Sequence, residues 1–250
     1  MMERTRRDHM AIAAARLLRD GERVLVGVGL PNLAANVAKR LHAPGLVLIY
    51  ESGVIDARPR ELPLSIGDPS LVRDALAILP MGELFSQYLQ TGWVDVGFLG
   101  GAQVDRRGNL NSTVIGPYER PAVRLSGSGG AADIASFAHR LIIVMPLDRR
   151  RFPATVDFIT SPGHPPGRRR PDGRGPHTVV TDMGLFDFDQ DGEMRLRALF
   201  PGVAVRDAQD ACGWPVRVHA ELDVIEPPMA EELEVLSALK ATVPGAEASV

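Results

Sequence analysis

Short, nearly continuous apolar runs alternate along the chain with amphipathic stretches. The apolar runs, rich in β-branched residues, cover residues 23–28, 46–50, 94–100, 141–145 and 178–182. Runs of this length and composition are typical of strands that are buried on both faces, as in a parallel sheet. Helical patterns cover residues 7–19, 32–41, 131–139 and 230–239. The alternation predicts an α/β fold, with an open, mostly parallel sheet and flanking helices.

Length and charge limit the classes of protein that fit this pattern. The chain has 250 residues, with 45% hydrophobic residues, 24% charged residues and a formal net charge of -3. These are ordinary values for a soluble globular protein, and the length fits one large α/β domain or two small ones. We expect a single domain over residues 1–250. The small negative charge disfavours nucleic acid as a partner, because binding a phosphate backbone requires a surplus of Lys and Arg.

Cysteine content and hydropathy bear on the compartment. The single cysteine, Cys212, cannot form an intrachain disulfide, and a packed, inert thiol is its expected state. The first twenty residues contain no signal-peptide core, and no apolar run is long enough to span a bilayer. We therefore expect a cytoplasmic protein without a membrane partner.

Two proline-rich and glycine-rich segments interrupt the pattern. Residues 53–80 are irregular but partly apolar, which indicates a packed, functional segment rather than a free linker. Residues 164–176, HPPGRRRPDGRGP, have the composition of a mobile loop. The four arginines of that loop fit either a solvated surface excursion or contacts to the phosphates of a ligand.

Two familiar motifs match only in part. Residues 187–192 begin like a calcium loop, but the position of the closing glutamate holds Ala198, so a hairpin turn at residues 190–192 is the better interpretation. Residues 127–132 fit the loose dinucleotide pattern G-x-G-x-x-A without a clear buried strand before them. Their bare backbone amides, just ahead of a predicted helix, could still polarise an oxygen anion. The six histidines are scattered, so we expect no metal site.

A carboxylate stands at the end of one predicted strand. The run LVLIY is followed at once by Glu51, Ser52 and Gly53, where the chain must turn. Ligands of open α/β sheets bind beyond the carboxyl ends of the strands. A glutamate there could cap a helix or pair with an arginine, or it could attack an activated acyl group without a base, because it is already ionised at neutral pH.

Five ordered sequence blocks resemble the β subunit of family I CoA-transferases, and most closely that of glutaconate CoA-transferase. They span residues 27 to about 189 and include VGVGLPNLAANVAKRLHAPGLVLIYESG, GFLGGAQVDRRGNLNSTVIG, RLSGSGGAADIA, RRRFPATVDFITSPG and VVTDMGLFDFD. The resemblance implies an open α/β sheet related to that of sugar-phosphate isomerases. It also implies CoA as a substrate, no bound cofactor, and a separate α subunit without which this polypeptide is inactive.

The resemblance assigns roles to four residues. Glu51 matches the nucleophile, which passes through an acyl-glutamyl anhydride to a glutamyl-CoA thioester. Gly129 and Gly130 match glycines whose amides face the oxyanion. Asn111 aligns more loosely with an amide that orients the glutamate, and a turn asparagine is the alternative. The first block, at residues 27–31, matches a loop near the site, in which glycine serves backbone packing.

Three functions remain open at this point. The first is transfer of CoA between an acyl-CoA and a free acid, dicarboxylic or oxo. The second is an acyl-CoA hydrolase of the same fold, in which water enters at the acyl-enzyme stage. The third is a noncatalytic ligand-binding module, which the intact Glu51 and glycine loop disfavour.

Overall fold

The computed structural model describes residues 2–57, 61–172 and 174–242. Its α-helices are α1 Met2–Ala15, α2 Leu30–Leu41, α3 Met81–Glu83, α4 Ala131–Phe137, α5 Val205–Asp210 and α6 Ala230–Ala241, and a π-helical turn at Leu84–Leu89 continues α3. The strands of the first half are β1 Arg23–Leu25, β2 Val47–Ile49, β3 Val54–Ile55, β4 Ala77–Ile78, β5 Val96–Leu99, β6 Gln103–Val104 and β7 Leu110–Asn111. The others are β8 Val114–Ile115, β9 Val123–Arg124, β10 Arg140–Val144, β11 Pro176–Val180, β12 Gly184–Phe188, β13 Met194–Leu199 and β14 Arg217–Val224.

The chain forms two compact units, one of which is discontinuous in sequence. The first unit comprises Met1–Phe98 and Pro228–Val250, and the second comprises Leu99–Pro227. Each predicted strand and helix is present, with ends that differ by a few residues. The predicted fold class, an open α/β sheet with flanking helices, is confirmed.

In the first unit the strands lie in the order β5-β1-β2-β3-β4. Strand β1 pairs in parallel with β2 and β5, whereas β3 is antiparallel to both of its neighbours. Leu25 is opposite Ile49 in the β1–β2 register. The segments that follow β1 and β2 therefore leave the sheet at the same edge, where ligands of such folds bind.

Helix α2 follows β1 directly and packs against α1 and α6. It begins after Gly29, with Pro31 in its first turn, where the missing N–H of proline costs no hydrogen bond. Basic residues in its last turn complement the helix dipole. The Arg16 guanidinium binds both carboxylate oxygens of Glu232 at 2.7 and 2.6 Å, which fixes α6 to the chain just after α1.

In the second unit the strands lie in the order β10-β11-β12-β13-β14. Two separate antiparallel hairpins, β6–β7 and β8–β9, also belong to this unit. Strands β10 and β11 are parallel, and β12 is antiparallel to β11 and β13. The predicted hairpin turn at residues 190–192 is confirmed, because it joins β12 to β13. The calcium-like carboxylates serve arginines instead: Asp187 binds Arg195 at 2.7 Å, and Asp189 binds Arg217 at 2.5 Å.

Of the two proline-rich and glycine-rich segments, residues 53–80 contain ordered elements, in agreement with the prediction of a packed segment, whereas residues 164–176 form more contacts than a mobile loop would. Residues 53–80 contain β3, β4 and a 3-10 turn at Pro69–Val72, with residues 58–60 outside the described part. In residues 164–176, of which Gly173 is not described, the buried His164 binds the Pro176 carbonyl at 2.8 Å and accepts the Arg170 amide. The Arg170 guanidinium donates to the carbonyls of Ala135 and Ser136 in α4.

Candidate active site

The predicted nucleophile, Glu51, occupies a tight turn between β2 and β3. The Gly53 amide donates to the Tyr50 carbonyl at 2.9 Å, and the Tyr50 amide donates to the Val54 carbonyl at 3.0 Å. Glu51 and Ser52 are thus the two central residues of a four-residue turn at the carboxyl end of β2. The turn holds the carboxylate at the sheet edge predicted from sequence.

Gly53 is required by the geometry of this turn. Its φ is +96°, and a Cβ atom there would lie 1.8 Å from the Leu79 carbonyl oxygen. Leu79 is held at that position, because its amide donates to the Gly53 carbonyl at 2.9 Å. The glycine of the ESG sequence therefore allows another backbone segment to close on the turn.

Burial tunes the chemistry of the turn. The Glu51 side chain is half-buried, and desolvation raises the pKa of its carboxyl group. A carboxylate that has lost part of its hydration is more basic and more nucleophilic than one in water. The Ser52 hydroxyl is buried and has no hydrogen-bond partner among the described residues, so it is a polar group left available beside the carboxylate.

A buried hydrogen-bond network joins the turn to the first loop. The Tyr50 hydroxyl donates to Asn32 Oδ1 at 2.8 Å, and Asn36 Nδ2 donates to the same oxygen at 2.9 Å. Burial raises the pKa of Tyr50 to about 12, so its hydroxyl keeps its proton and remains a donor. The network fixes the residue before Glu51 to the first turn of α2.

A cavity of about 440 Å³ opens beside this loop in the first unit. Its lining is mostly apolar and includes Val28, Leu30, Leu33 and Leu62. The polar members are the buried Asn32, the exposed Arg7, and Asp8, which pairs with Lys240. Its size and composition are those of a small-molecule site. Sequence reasoning missed this cavity, because α1, α2 and the segment near Leu62 come together only in the fold.

The predicted oxyanion donors lie on a loop of the second unit. Gly129 has a φ of +49°, with no atom within 4 Å of the position that a Cβ would occupy, and Gly130 precedes α4 with a φ of -81°. Neither amide donates a hydrogen bond to another residue in the described part of the chain. The preceding strand, β9, is an exposed two-residue strand of an antiparallel hairpin, which supports the rejection of a dinucleotide-binding motif.

Asn111 lies in the second unit and is fully buried. Its Nδ2 donates to Gln103 Oε1 at 2.7 Å and to the Val114 carbonyl at 2.6 Å, while its Oδ1 accepts the Thr113 amide at 3.0 Å. These bonds occupy the amide with Gln103 in its own hairpin and with the turn that leads into β8, and they favour the turn-asparagine alternative. The orienting role stays a prediction.

The fold brings Asn111 and the glycine loop together, since the neighbouring Ser112 hydroxyl donates to the Gly127 carbonyl at 2.8 Å and the Gly127 amide returns a bond to Ser112. Glu51 belongs to the first unit.

Cys212 is buried, and burial raises the pKa of its thiol to about 12, as expected of a packed, inert cysteine. No helix of the described residues is both long and apolar enough to cross a membrane.

Comparison with known proteins agrees with the sequence blocks. The model of the coenzyme A transferase family matches residues 7–209. The chain is 44% identical to the B subunit of 3-oxoadipate CoA-transferase from Pseudomonas knackmussii, covering 93% of this chain and 92% of the relative. It is 38% identical to the B subunit of glutaconate CoA-transferase from Acidaminococcus fermentans, covering 89% and 88%.

The fold leads to the same family. The crystal structure of glutaconate coenzyme A-transferase from Acidaminococcus fermentans superimposes with a TM-score of 0.87 and 35% identity, covering 98% of this chain and 96% of that one. The predicted family is thus confirmed by sequence and by structure. The chain belongs to the coenzyme A transferase family.

Proposed function

We propose that this chain is the β subunit of a heteromeric CoA-transferase and that Glu51 carries the group being transferred. The observation that carries the proposal is a half-buried carboxylate with a raised pKa, held on a glycine-dependent turn at the end of a parallel strand. The names of the relatives, each of them a B subunit, support a separate partner subunit.

The reaction proceeds without net proton transfer. The Glu51 carboxylate attacks the thioester carbonyl, the C–S bond breaks, and an acyl-glutamyl anhydride and CoA thiolate result. The thiolate attacks the glutamyl carbonyl, which gives a glutamyl-CoA thioester and releases the donor acid. The acceptor carboxylate then attacks this thioester, which gives a second acyl-glutamyl anhydride and CoA thiolate. The thiolate attacks the acyl carbonyl of the acceptor, and the new acyl-CoA and the Glu51 carboxylate result.

The amides of Gly129 and Gly130 stabilise the oxyanion in this proposal. Both are free of intramolecular acceptors among the described residues, and both precede the short helix α4. A donor of this kind is typically worth about 10²–10³ in rate. The mechanism requires these amides to reach the carbonyl oxygen that becomes negative, because charge develops there when Glu51 attacks.

The substrates proposed are a short acyl-CoA and a free dicarboxylic or oxo acid. The relatives named for 3-oxoadipate and glutaconate support this class. So does the cavity of about 440 Å³ in the first unit, whose apolar lining suits a short carbon chain and whose Arg7 suits a carboxylate.

Both units would act as one functional domain over residues 1–250, with CoA as substrate and covalent intermediate. The cytoplasmic location stays a prediction.

The test uses the chain coexpressed with its α subunit. Glu51→Gln should abolish transfer while the complex still assembles, and Glu61→Gln, which changes an exposed carboxylate ten residues away, should leave transfer unchanged. With acyl-CoA alone, mass spectrometry should find CoA covalently attached to the peptide that contains Glu51. Undiminished transfer by Glu51→Gln would refute the mechanism. Release of free CoA without acylation of the acceptor would identify a hydrolase.

A further inference from the structure

A second, larger cavity lies within the second unit. Its volume is about 700 Å³, and its lining includes Gly101, Gln103, Ile115, Arg149, Arg150 and Arg151. The three arginines follow β10, which is parallel to β11, and they leave the carboxyl end of that strand. The cavity is thus at the kind of sheet edge where α/β folds bind ligands.

A short turn holds the arginines in place. Asp148 Oδ1 accepts the backbone amides of Arg150 at 3.0 Å and of Arg151 at 3.1 Å, and Asp148 Oδ2 pairs with the Arg151 guanidinium. Desolvation raises the pKa of Asp148, but these amides and Arg151 outweigh it, so the pKa is lowered and the aspartate stays ionised. The turn is fixed without help from the other two guanidinium groups.

Arg149 and Arg150 carry charge that the fold does not neutralise. Neither forms an ion pair with any residue in the described part of the chain, and both are exposed. Asp157 contacts the lining residue Gln103, and its Oδ2 already accepts Gln103 Nε2 at 3.2 Å and the Gly116 amide at 2.8 Å. Two guanidinium groups without an ion-pair partner thus line the cavity, an arrangement suited to phosphate, because the planar fork of arginine matches its oxygens.

The cavity lies close to the glycine loop along the chain. At one end of the segment from Ser112 to Ile115, Ser112 binds the glycine loop that carries the predicted oxyanion donors. At the other end, Ile115 lines the cavity. Three residues span at most about 10 Å. A CoA molecule with its thioester at the glycine loop could therefore extend its phosphates toward the arginines, because both sites lie along one short segment of chain.

We infer that Arg149 and Arg150 bind the phosphates of the nucleotide end of CoA. The inference rests on the proposed function and adds to it the site that recognises the nucleotide. Sequence reasoning placed possible phosphate contacts in residues 164–176 instead. There the Arg170 side chain is already bound to carbonyls of α4 and to Asp172.

The experiment compares two thioesters on the assembled α–β complex. Wild type, Arg149→Ala, Arg150→Ala and the double variant are assayed with acyl-CoA and with the same acyl group on pantetheine, which carries no phosphate. Each single variant should raise KM for acyl-CoA about 10-fold, the loss of roughly one charge-assisted hydrogen bond. The kcat and the KM of the acceptor acid should stay within twofold, and the variants should match wild type on acyl-pantetheine.

Arg169→Ala serves as the control, since it removes an arginine of residues 164–176 and should change neither thioester. Equal losses on both thioesters, or no loss on acyl-CoA, would overturn the inference while leaving the transferase proposal intact. Larger losses from Arg169→Ala than from Arg149→Ala would also overturn it. Failure of wild type to transfer CoA would instead refute the proposed function.

Discussion

Replacing Gly53 with alanine tests whether the turn that carries Glu51 depends on the close approach of Leu79. The new Cβ would lie 1.8 Å from the Leu79 carbonyl oxygen and 2.9 Å from its carbon. The backbone must also keep a φ of +96°, which costs a non-glycine residue roughly 1–2 kcal/mol. Leu79 cannot withdraw freely, because it donates a hydrogen bond to Gly53.

The expected destabilisation has two parts. To the backbone strain is added an overpacking cost of about 1–3 kcal/mol, so the total is about 2–5 kcal/mol. A change of that size should lower the Tm of a unit of this size by roughly 5–15 °C. Relief of the clash also moves the turn, and a displacement near 1 Å at a reacting group can cost about 10²-fold in kcat.

Gly21→Ala is the matched control, since Gly21 has a φ of +80° but no atom within 4 Å of the position that a Cβ would occupy. It should show the strain cost alone, with a Tm loss of a few degrees and unchanged kcat. Both variants are measured in the assembled complex by thermal unfolding with circular dichroism and by the transfer assay. Equal Tm values for the two variants would refute the argument that Leu79 is what requires a glycine at position 53.

Two further predictions concern buried groups. Cys212 should react with thiol reagents only as fast as the protein unfolds, because burial raises its thiol pKa to about 12; rapid modification of the folded complex at pH 8 would contradict this. His164 should make stability fall as the pH drops from 6.5 toward 4. Burial, outweighing its bond to Pro176, lowers the pKa of His164 from 6.5 to about 4, so the unfolded chain binds its proton first. His164→Gln should flatten that part of the urea-unfolding profile, and an identical profile would assign the loss to other groups.

Much of the first unit could be predicted because its signals are local. Strands β1 and β2 are continuous apolar runs, and the turn after β2 is marked by ESG. The reason for Gly53 could not be read from the sequence, because the atom that excludes a side chain belongs to Leu79, far along the chain. Strands β3 and β4 were missed for a related reason. A strand of two residues is too short to show an alternating pattern of apolar and polar positions, so only their pairing partners identify β3 and β4 as strands.

In the second unit too, local sequence signals could be predicted, whereas contacts between residues distant in sequence could not. The small residues of the glycine loop predicted exposed amides, and the fold leaves the amides of Gly129 and Gly130 without an acceptor among the described residues. The alternatives for Asn111 could not be separated by sequence, since they depend on Gln103 and Val114 as partners. The sequence shows three consecutive arginines after β10, but only the fold shows that Asp148 neutralises Arg151.

The discontinuity of the first unit sets an order of events during synthesis. Residues 99–227 form a contiguous unit, so the ribosome releases everything that unit requires in one stretch. The first unit must wait for α6, because Glu232 binds Arg16 and Lys240 binds Asp8. Helices α1 and α2 therefore leave the ribosome long before α6, and the surfaces with which they contact α6 stay uncovered during most of translation. Helices α1 and α2 thus complete their packing only after the whole second unit has been made.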